Sequence, residues 1–259
     1  MKKCLALVLT LLLTVGVLSG CSADPKTQLM NASKKTSELV SFESNIKMTV
    51  NAAVQGVSLE IPVTMNVKYS NKDDKPLMST DMSLEFMSMK VQMQMYYTDG
   101  YMYMDAMGQK TKEAMPIEDA MKVFGGMSDM SGDMITEIKT EKVEGGTKYT
   151  PTIDEANMMD YVGSLLEKAK DTMGGAGNAE DYMDDVNIKN LQTYIIVGND
   201  GYISEQWMSM DLDADVEEAE ATDVSMSMEM TNTFVDPGKD VTVTLPDDLD
   251  EYTLKGSDI

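Results

Sequence analysis

Hydrophobic residues recur at every second position through much of this chain, the spacing of a strand with one buried face. Phe42, Ile46, Met48 and Val50 open the pattern, and Val57, Leu59, Ile61, Val63, Met65 and Val67 continue it. Asn71 to Pro76 is a turn signal, followed by Met78, Thr80, Met82, Leu84 and Phe86. Parity flips at Phe86-Met87, which predicts a tight turn near 87–89 before Val91, Met93, Met95 and Tyr97. Asp99-Gly100 suits a two-residue hairpin, with Tyr101, Tyr103 and Asp105 on the return. Further strands are expected over 135–143 and 147–153 around Gly145-Gly146, over 186–197 and 202–212 around Asn199-Asp200-Gly201, and over 224–235 and 241–245. Turns this short cannot hold the crossovers of parallel pairs, so the sheet should be antiparallel.

Helical spacing interrupts the strands. Asp24-Pro25 fits an N-cap and first helical position, and Leu29, Ala32, Thr36 and Leu39 then share a face to about Val40. Pro116 opens a second helix through Ile117, Ala120, Met121 and Phe124, closed by Gly125-Gly126. Thr152-Ile153-Asp154-Glu155 is a capping box ahead of Met158, Val162, Leu165, Leu166 and Ala169. Residues 127–134 read as a loop, 174–178 as a linker and 211–223 as an acidic hairpin tip. The class is α+β.

The first twenty residues follow another pattern. Lys2 and Lys3 precede an apolar run from Cys4 to Val17, which Leu18-Ser19-Gly20-Cys21 closes. These are the marks of a bacterial lipoprotein signal. A run of about 14 residues is short of the roughly 20 that span a bilayer. Processing is expected to remove residues 1–20, leaving 21–25 as a short lipidated tether and 26–259 as one domain. Cys21 would carry a diacylglyceryl group, since a single acyl chain holds weakly, and the membrane is thereby a partner. About three residues at 3.3 Å each separate that anchor from the first helix. The expected location is the outer face of the cytoplasmic membrane.

Composition narrows the function. The net charge of −23, with 44 acidic residues and no His, repels nucleic acid and anionic headgroups. No nucleic-acid partner is expected, and neutral or cationic ligands are favoured. Cys4 leaves with the signal and Cys21 is acylated, so no disulfide forms. Lack of His removes the commonest acid–base group, and the chain has no Gly-x-Ser-x-Gly elbow, phosphate loop or zinc spacing. No catalytic residue, metal ligand or cofactor is assigned, and an enzyme is not expected. Asp211-Leu212-Asp213-Ala214-Asp215 starts like a calcium loop, but Val216 and Thr222 stand where such a loop needs Gly and Glu. It is read as a solvated acidic face, as are Asp181, Asp184 and Asp185.

Several segments carry a family resemblance. Tyr96 to Tyr103, Gly108-Gln109-Lys110-Thr111-Lys112, Val197 to Ile203, and the end from Thr233-Phe234 to Leu245-Pro246 resemble the envelope lipoprotein superfamily of the carriers LolA and LolB and the mycobacterial LppX and LprG. The likeness is strongest to small Gram-positive lipoproteins of an uncharacterised branch. It implies a large curved antiparallel sheet, a half-barrel, with two or three helices packed on the concave side and a gap for acyl chains. It carries over no catalytic or ligand residue.

Methionine is the compositional oddity, with 27 in the chain. Pairs such as Met87/Met89, Met93/Met95, Met102/Met104, Met208/Met210 and Met226/Met228 put two thioethers on one strand face. Three readings follow: core filler, a deformable apolar cavity, or Cu(I) capture by soft thioethers. Cu(I) ranks last, because neither His nor a free Cys is available to help. The candidate cavity lining is Met82, Leu84, Phe86, Met93, Met95, Tyr97, Tyr101, Tyr103, Trp207, Met208 and Met210. The expected activity is non-catalytic binding of a hydrophobic or amphiphilic ligand such as a lipid. The alternative is an interaction protein with a filled core.

Overall fold

The structure, a computed structural model, describes residues 24–54, 57–86, 89–124, 132–153, 186–214 and 224–255. Helix α1 spans Pro25–Ser37 and precedes strands β1 (Ser41–Val54), β2 (Val57–Lys72), β3 (Lys75–Phe86), β4 (Met89–Thr98), β5 (Tyr101–Ala106) and β6 (Gln109–Ala114). Helix α2 (Ile117–Phe124) leads to β7 (Ile135–Val143), β8 (Gly146–Ile153), β9 (Val186–Gly198), β10 (Ile203–Ala214), β11 (Val224–Val235) and the two-residue β12 (Thr253–Leu254). All twelve strands join one sheet in the order β12-β6-β5-β4-β3-β2-β1-β11-β10-β9-β8-β7.

Local chemistry sets the hairpins and the first helix. Asp73-Asp74, Asp99-Gly100 and Met107-Gly108 each place two consecutive residues at positive φ. That backbone matches the twist of tight antiparallel pairs. Asp24 accepts a hydrogen bond from the Thr27 amide at 3.3 Å, so it caps α1 as its position predicts. Thr36, buried in that helix, donates to the Ala32 carbonyl at 2.8 Å and accepts from the Ile203 amide at 2.9 Å. One hydroxyl thus bolts α1 to the start of β10.

Alternation gives the sheet two unlike faces. On the apolar face, register aligns Met208, Met230, Met48, Val63, Leu84 and Val91 across six strands. A neighbouring row carries Ile46, Met65, Met82 and Met93. Met78, Met95, Tyr97 and Met102 pack with Ala120 of α2 in one core cluster, and Leu29 and Ala32 of α1 pack with Ile135, Tyr149, Ile195 and Ile203 in another. Both helices therefore rest on apolar-face residues, and methionine is the common core filler.

Three expectations need correction. Gln109–Ala114 is a strand that alternation did not reveal, because its residues are polar on both faces. Val241 to Leu245 alternates but is not in the sheet. Its segment instead runs across strand ends, where the Val241 amide donates to the Ser41 hydroxyl at 2.8 Å. The sheet also contains one parallel pair, β12 with β6, reached by that long connection. The capping-box helix, the 127–131 and 174–178 segments, the turn at 87–88, most of the acidic tip and the whole signal with Cys21 lie outside the described residues.

Candidate functional site

The polar face carries an ordered array. One register row reads Glu205, Thr233, Asn45, Asn66, Asp81, Gln94, Asp105 and Lys110 across eight strands. The next reads Tyr194, Trp207, Thr231, Lys47, Thr64, Ser83 and Gln92. Side chains in register stand about 5 Å apart and interact directly. Asn66 Nδ2 donates to Asn45 Oδ1 and to Glu43 Oε1, each at 2.9 Å, and Gln94 Nε2 donates to Asp81 Oδ1 at 3.0 Å. The amides are fixed by their neighbours before any ligand arrives.

Most residues of these rows, though not Tyr194, Trp207 or Lys110, line a cavity of about 1000 Å³, reaching from Glu205 and Thr233 through Asn45, Asn66 and Asp81 to Asp105, Met107 and Gly108. Asp105 and Glu205 stand six strand positions apart, roughly 29 Å along the sheet at 4.8 Å per strand. A second cavity of about 650 Å³ opens on the same face nearer the strand ends, lined by Asn51, Ser58, Glu60, Asn190, Asp211 and Ser227. The wall is mixed: Ile46, Met65, Met82, Met93 and Met107 line the larger cavity beside the polar groups, so Met82 and Met93 of the candidate lining lie at it.

One end of this trough is crossed by the tail of the chain. Past β11, Asp240 pairs with Lys72 at 2.8 Å. Farther on, Lys110 of β6 holds Asp248 and Glu251, the latter at 2.6 Å. Tyr252 meets Tyr103 edge-on at 5.4 Å. Both hydrogen bonds raise the Lys110 ammonium above its ordinary value, and the bond from Lys110 holds the Asp248 carboxyl below the usual carboxylate range.

Next in register to the wall residue Thr231 stands an aromatic pair. Tyr194 and Trp207 stack with centroids 5.2 Å apart and planes 15° from parallel. The Lys148 ammonium lies 4.0 Å from the Tyr194 centroid. Tyr194 donates to Glu205 Oε1 at 2.9 Å, and the indole N–H donates to Glu229 Oε1 at 3.1 Å. Burial first, then the bond to Glu205, pushes the Tyr194 hydroxyl up to about 12, so it stays a neutral donor.

The candidate lining residues divide between the two faces. Met82, Leu84, Phe86, Met93, Met95, Tyr97, Met208 and Met210 share the apolar face, with Met95, Tyr97, Met208 and Met210 buried. Tyr101, Tyr103 and Trp207 stand on the opposite face, since Tyr103 registers with Tyr96 and Trp207 with Thr231. Neighbours in a strand cannot face the same way, so Trp207 does not join Met208 and Met210. The amide row was not anticipated. Its signal in the sequence is the run of Asn, Gln, Ser and Thr at the alternate positions between the apolar ones. Toward the hairpin tips the apolar face opens: Met89 is 62% and Met226 36% exposed. Among the described residues no group of three or more His, Cys, Asp or Glu is placed to hold a metal ion, and no helix is long and apolar enough to cross a membrane.

Comparison with solved structures gives distant likeness. The ywiB protein from Bacillus subtilis is 10% identical with a TM-score of 0.24, over 77% of this chain and 96% of that one. Lipovitellin is 8% identical with a TM-score of 0.36, over 80% of this chain and 26% of that one. A DUF1329 family protein from Desulfovibrio piger is 11% identical with a TM-score of 0.27, over 86% and 96%. No curated protein matches the chain. A family model does match, over residues 26–251, and so covers the helix, the long hairpins and the tail that bounds the trough: the chain belongs to the family of unknown function DUF6612.

Proposed function

We propose that this protein is a lipid-tethered extracytoplasmic binding protein that holds a polar or amphiphilic ligand in the trough, without catalysis. The observation that carries the reading is the cavity of about 1000 Å³ whose walls combine hydrogen-bonding side chains from successive strands with Ile46, Met65, Met82, Met93 and Met107. That volume stands at the upper end of the roughly 300–1,000 Å³ of small-molecule sites. The amides are already fixed by cross-strand bonds, and preorganised groups lose little freedom on binding. The proposed tether rests on Leu18-Ser19-Gly20-Cys21 and on the capped helix that starts at Pro25. Anchored there, the protein would work at the outer face of the cytoplasmic membrane.

A second reading keeps the ligand hydrophobic and seats it on the methionine face. It is favoured by the exposure of Met89 and Met226 beside half-buried Leu84, Phe86 and Val91.

Native mass spectrometry of protein purified without added lipid, with Trp207 emission read during titration with dodecyl maltoside, tests both. Under the trough reading the detergent headgroup perturbs Trp207 and the bound mass survives dilution. Bound lipid with an unmoved Trp207 emission would favour the methionine face. An apo mass with no response to detergent would overturn both.

A further inference from the structure

We infer that the trough recognises a neutral, hydroxyl-rich chain, an oligosaccharide, with Trp207 as its stacking platform; this rests on the trough reading above and names its ligand class. The stack has an order: Lys148, then Tyr194, then Trp207. One face of Tyr194 takes the ammonium and the other takes the indole. The indole has a second face, and the cross-strand neighbour of Trp207 away from Tyr194 is Thr231, a residue of the trough wall. The stacked row thus ends at half-buried Trp207, one strand from the wall residue Thr231 and its small side chain. An apolar ring face beside hydrogen-bonding groups suits a molecule with apolar and polar surfaces of its own. A sugar ring has both, C–H groups on its faces and hydroxyls around its edge.

The polar groups select against other ligands. Carboxylates poised for a cation would stand bare, but these accept from neutral donors. Asp81 takes the Gln94 amide, Glu205 the Tyr194 hydroxyl and Glu229 the indole N–H, while Asp105 accepts from the Gly108 amide at 2.8 Å. Each keeps further lone pairs for hydroxyl donors. Phosphate-rich chains are disfavoured by the acidic protein as a whole, at −23. An extended site crossing six strand positions, roughly 29 Å, suits a chain over a single ring.

The test uses detergent-solubilised full chain and calorimetric titration with chitotetraose, and separately with spermine and with dodecyl maltoside. The expected result is saturable binding of chitotetraose with a shift of Trp207 emission. Trp207→Ala should weaken it by about tenfold or more. Thr231→Met, which fills the trough beside the indole without touching the core, should do the same while its urea midpoint stays at the wild-type value. Binding of dodecyl maltoside or spermine without chitotetraose would overturn the glycan inference and leave the trough reading standing. Binding of none of the three would overturn both. Chitotetraose binding that neither substitution weakens would also overturn the inference, by placing the sugar elsewhere.

Discussion

The same chemical change at two buried threonines should have opposite effects. Thr80 is fully buried in β3, at 0% exposure, and its hydroxyl oxygen has no hydrogen-bond partner among the described residues. In register it is flanked by Val67 and Met95, neither of which brings a polar side chain. Burying a hydroxyl without a partner costs about 1–3 kcal/mol. Valine has nearly the same shape and removes that cost. Thr80→Val should therefore stabilise the fold by about 1–2 kcal/mol, or roughly 3–6 °C in Tm for a domain of this size. Thr36 is the counterpart. Its hydroxyl both donates to Ala32 and accepts from the Ile203 amide. Thr36→Val strands a buried N–H and should destabilise by about 1–3 kcal/mol. Urea unfolding followed by far-ultraviolet circular dichroism and by the fluorescence of Trp207, the chain's one tryptophan, reads both variants. Unchanged slopes would confirm that the two end states are the same. Shifts of the same sign in both variants would refute the reasoning, because burial alone cannot separate them and hydrogen bonding is the one difference invoked.

Other substitutions probe packing and the tail. Met78→Ala empties a fully buried site in the core cluster and should cost about 2–5 kcal/mol in the same urea assay; a loss under 1 kcal/mol would mean the core collapses around the gap. In Gly146→Ala the new Cβ would lie 2.2 Å from the Val197 carbonyl oxygen, a backbone clash, so hairpin β7–β8 should lose about 1–3 kcal/mol, seen as faster amide exchange in β8. The tail should loosen in acid. Lys110 depresses the folded-state pKa of Asp248, so its stabilising contribution is present above the ordinary carboxylate pKa and is lost as pH falls through the lower folded value. Asp248→Asn should therefore match wild type at low pH and be the less stable at pH 7; a constant difference across that range would contradict the assignment.

How much of this was legible beforehand can be seen residue by residue. Asp99-Gly100 and the alternation around it located β4 and β5 because a short hairpin is a local event. Gln109–Ala114 escaped because β6 has no apolar face; what makes it a strand is its pairing with β5 and the tail laid on it by Lys110. Val241 to Leu245 misled for the converse reason, since alternation without a free neighbouring edge yields no strand. The faces of Met208 and Trp207 follow from parity alone. The curvature of the sheet does not, because it arises from the twist summed over many strands. The methionine pattern marks the apolar face, and the array of Asn, Gln and Thr lines the cavity together with Met65, Met82 and Met93.

The place of β1 has a consequence for how the chain is made. Of the described strands it is the first to be synthesised, yet it sits in mid-sheet between β2 and β11. Asn51 and its hydrogen-bonded partner Ser227 are 176 residues apart in sequence. At about 5–20 residues per second, roughly 9 to 35 s pass between synthesis of the two. Throughout that interval a fourteen-residue strand has one ladder of amides and carbonyls unpaired, a template for any other extended chain. The nascent protein is half a sheet waiting for its seam, and its yield in the cell will depend on what shields that margin until the last long strand arrives.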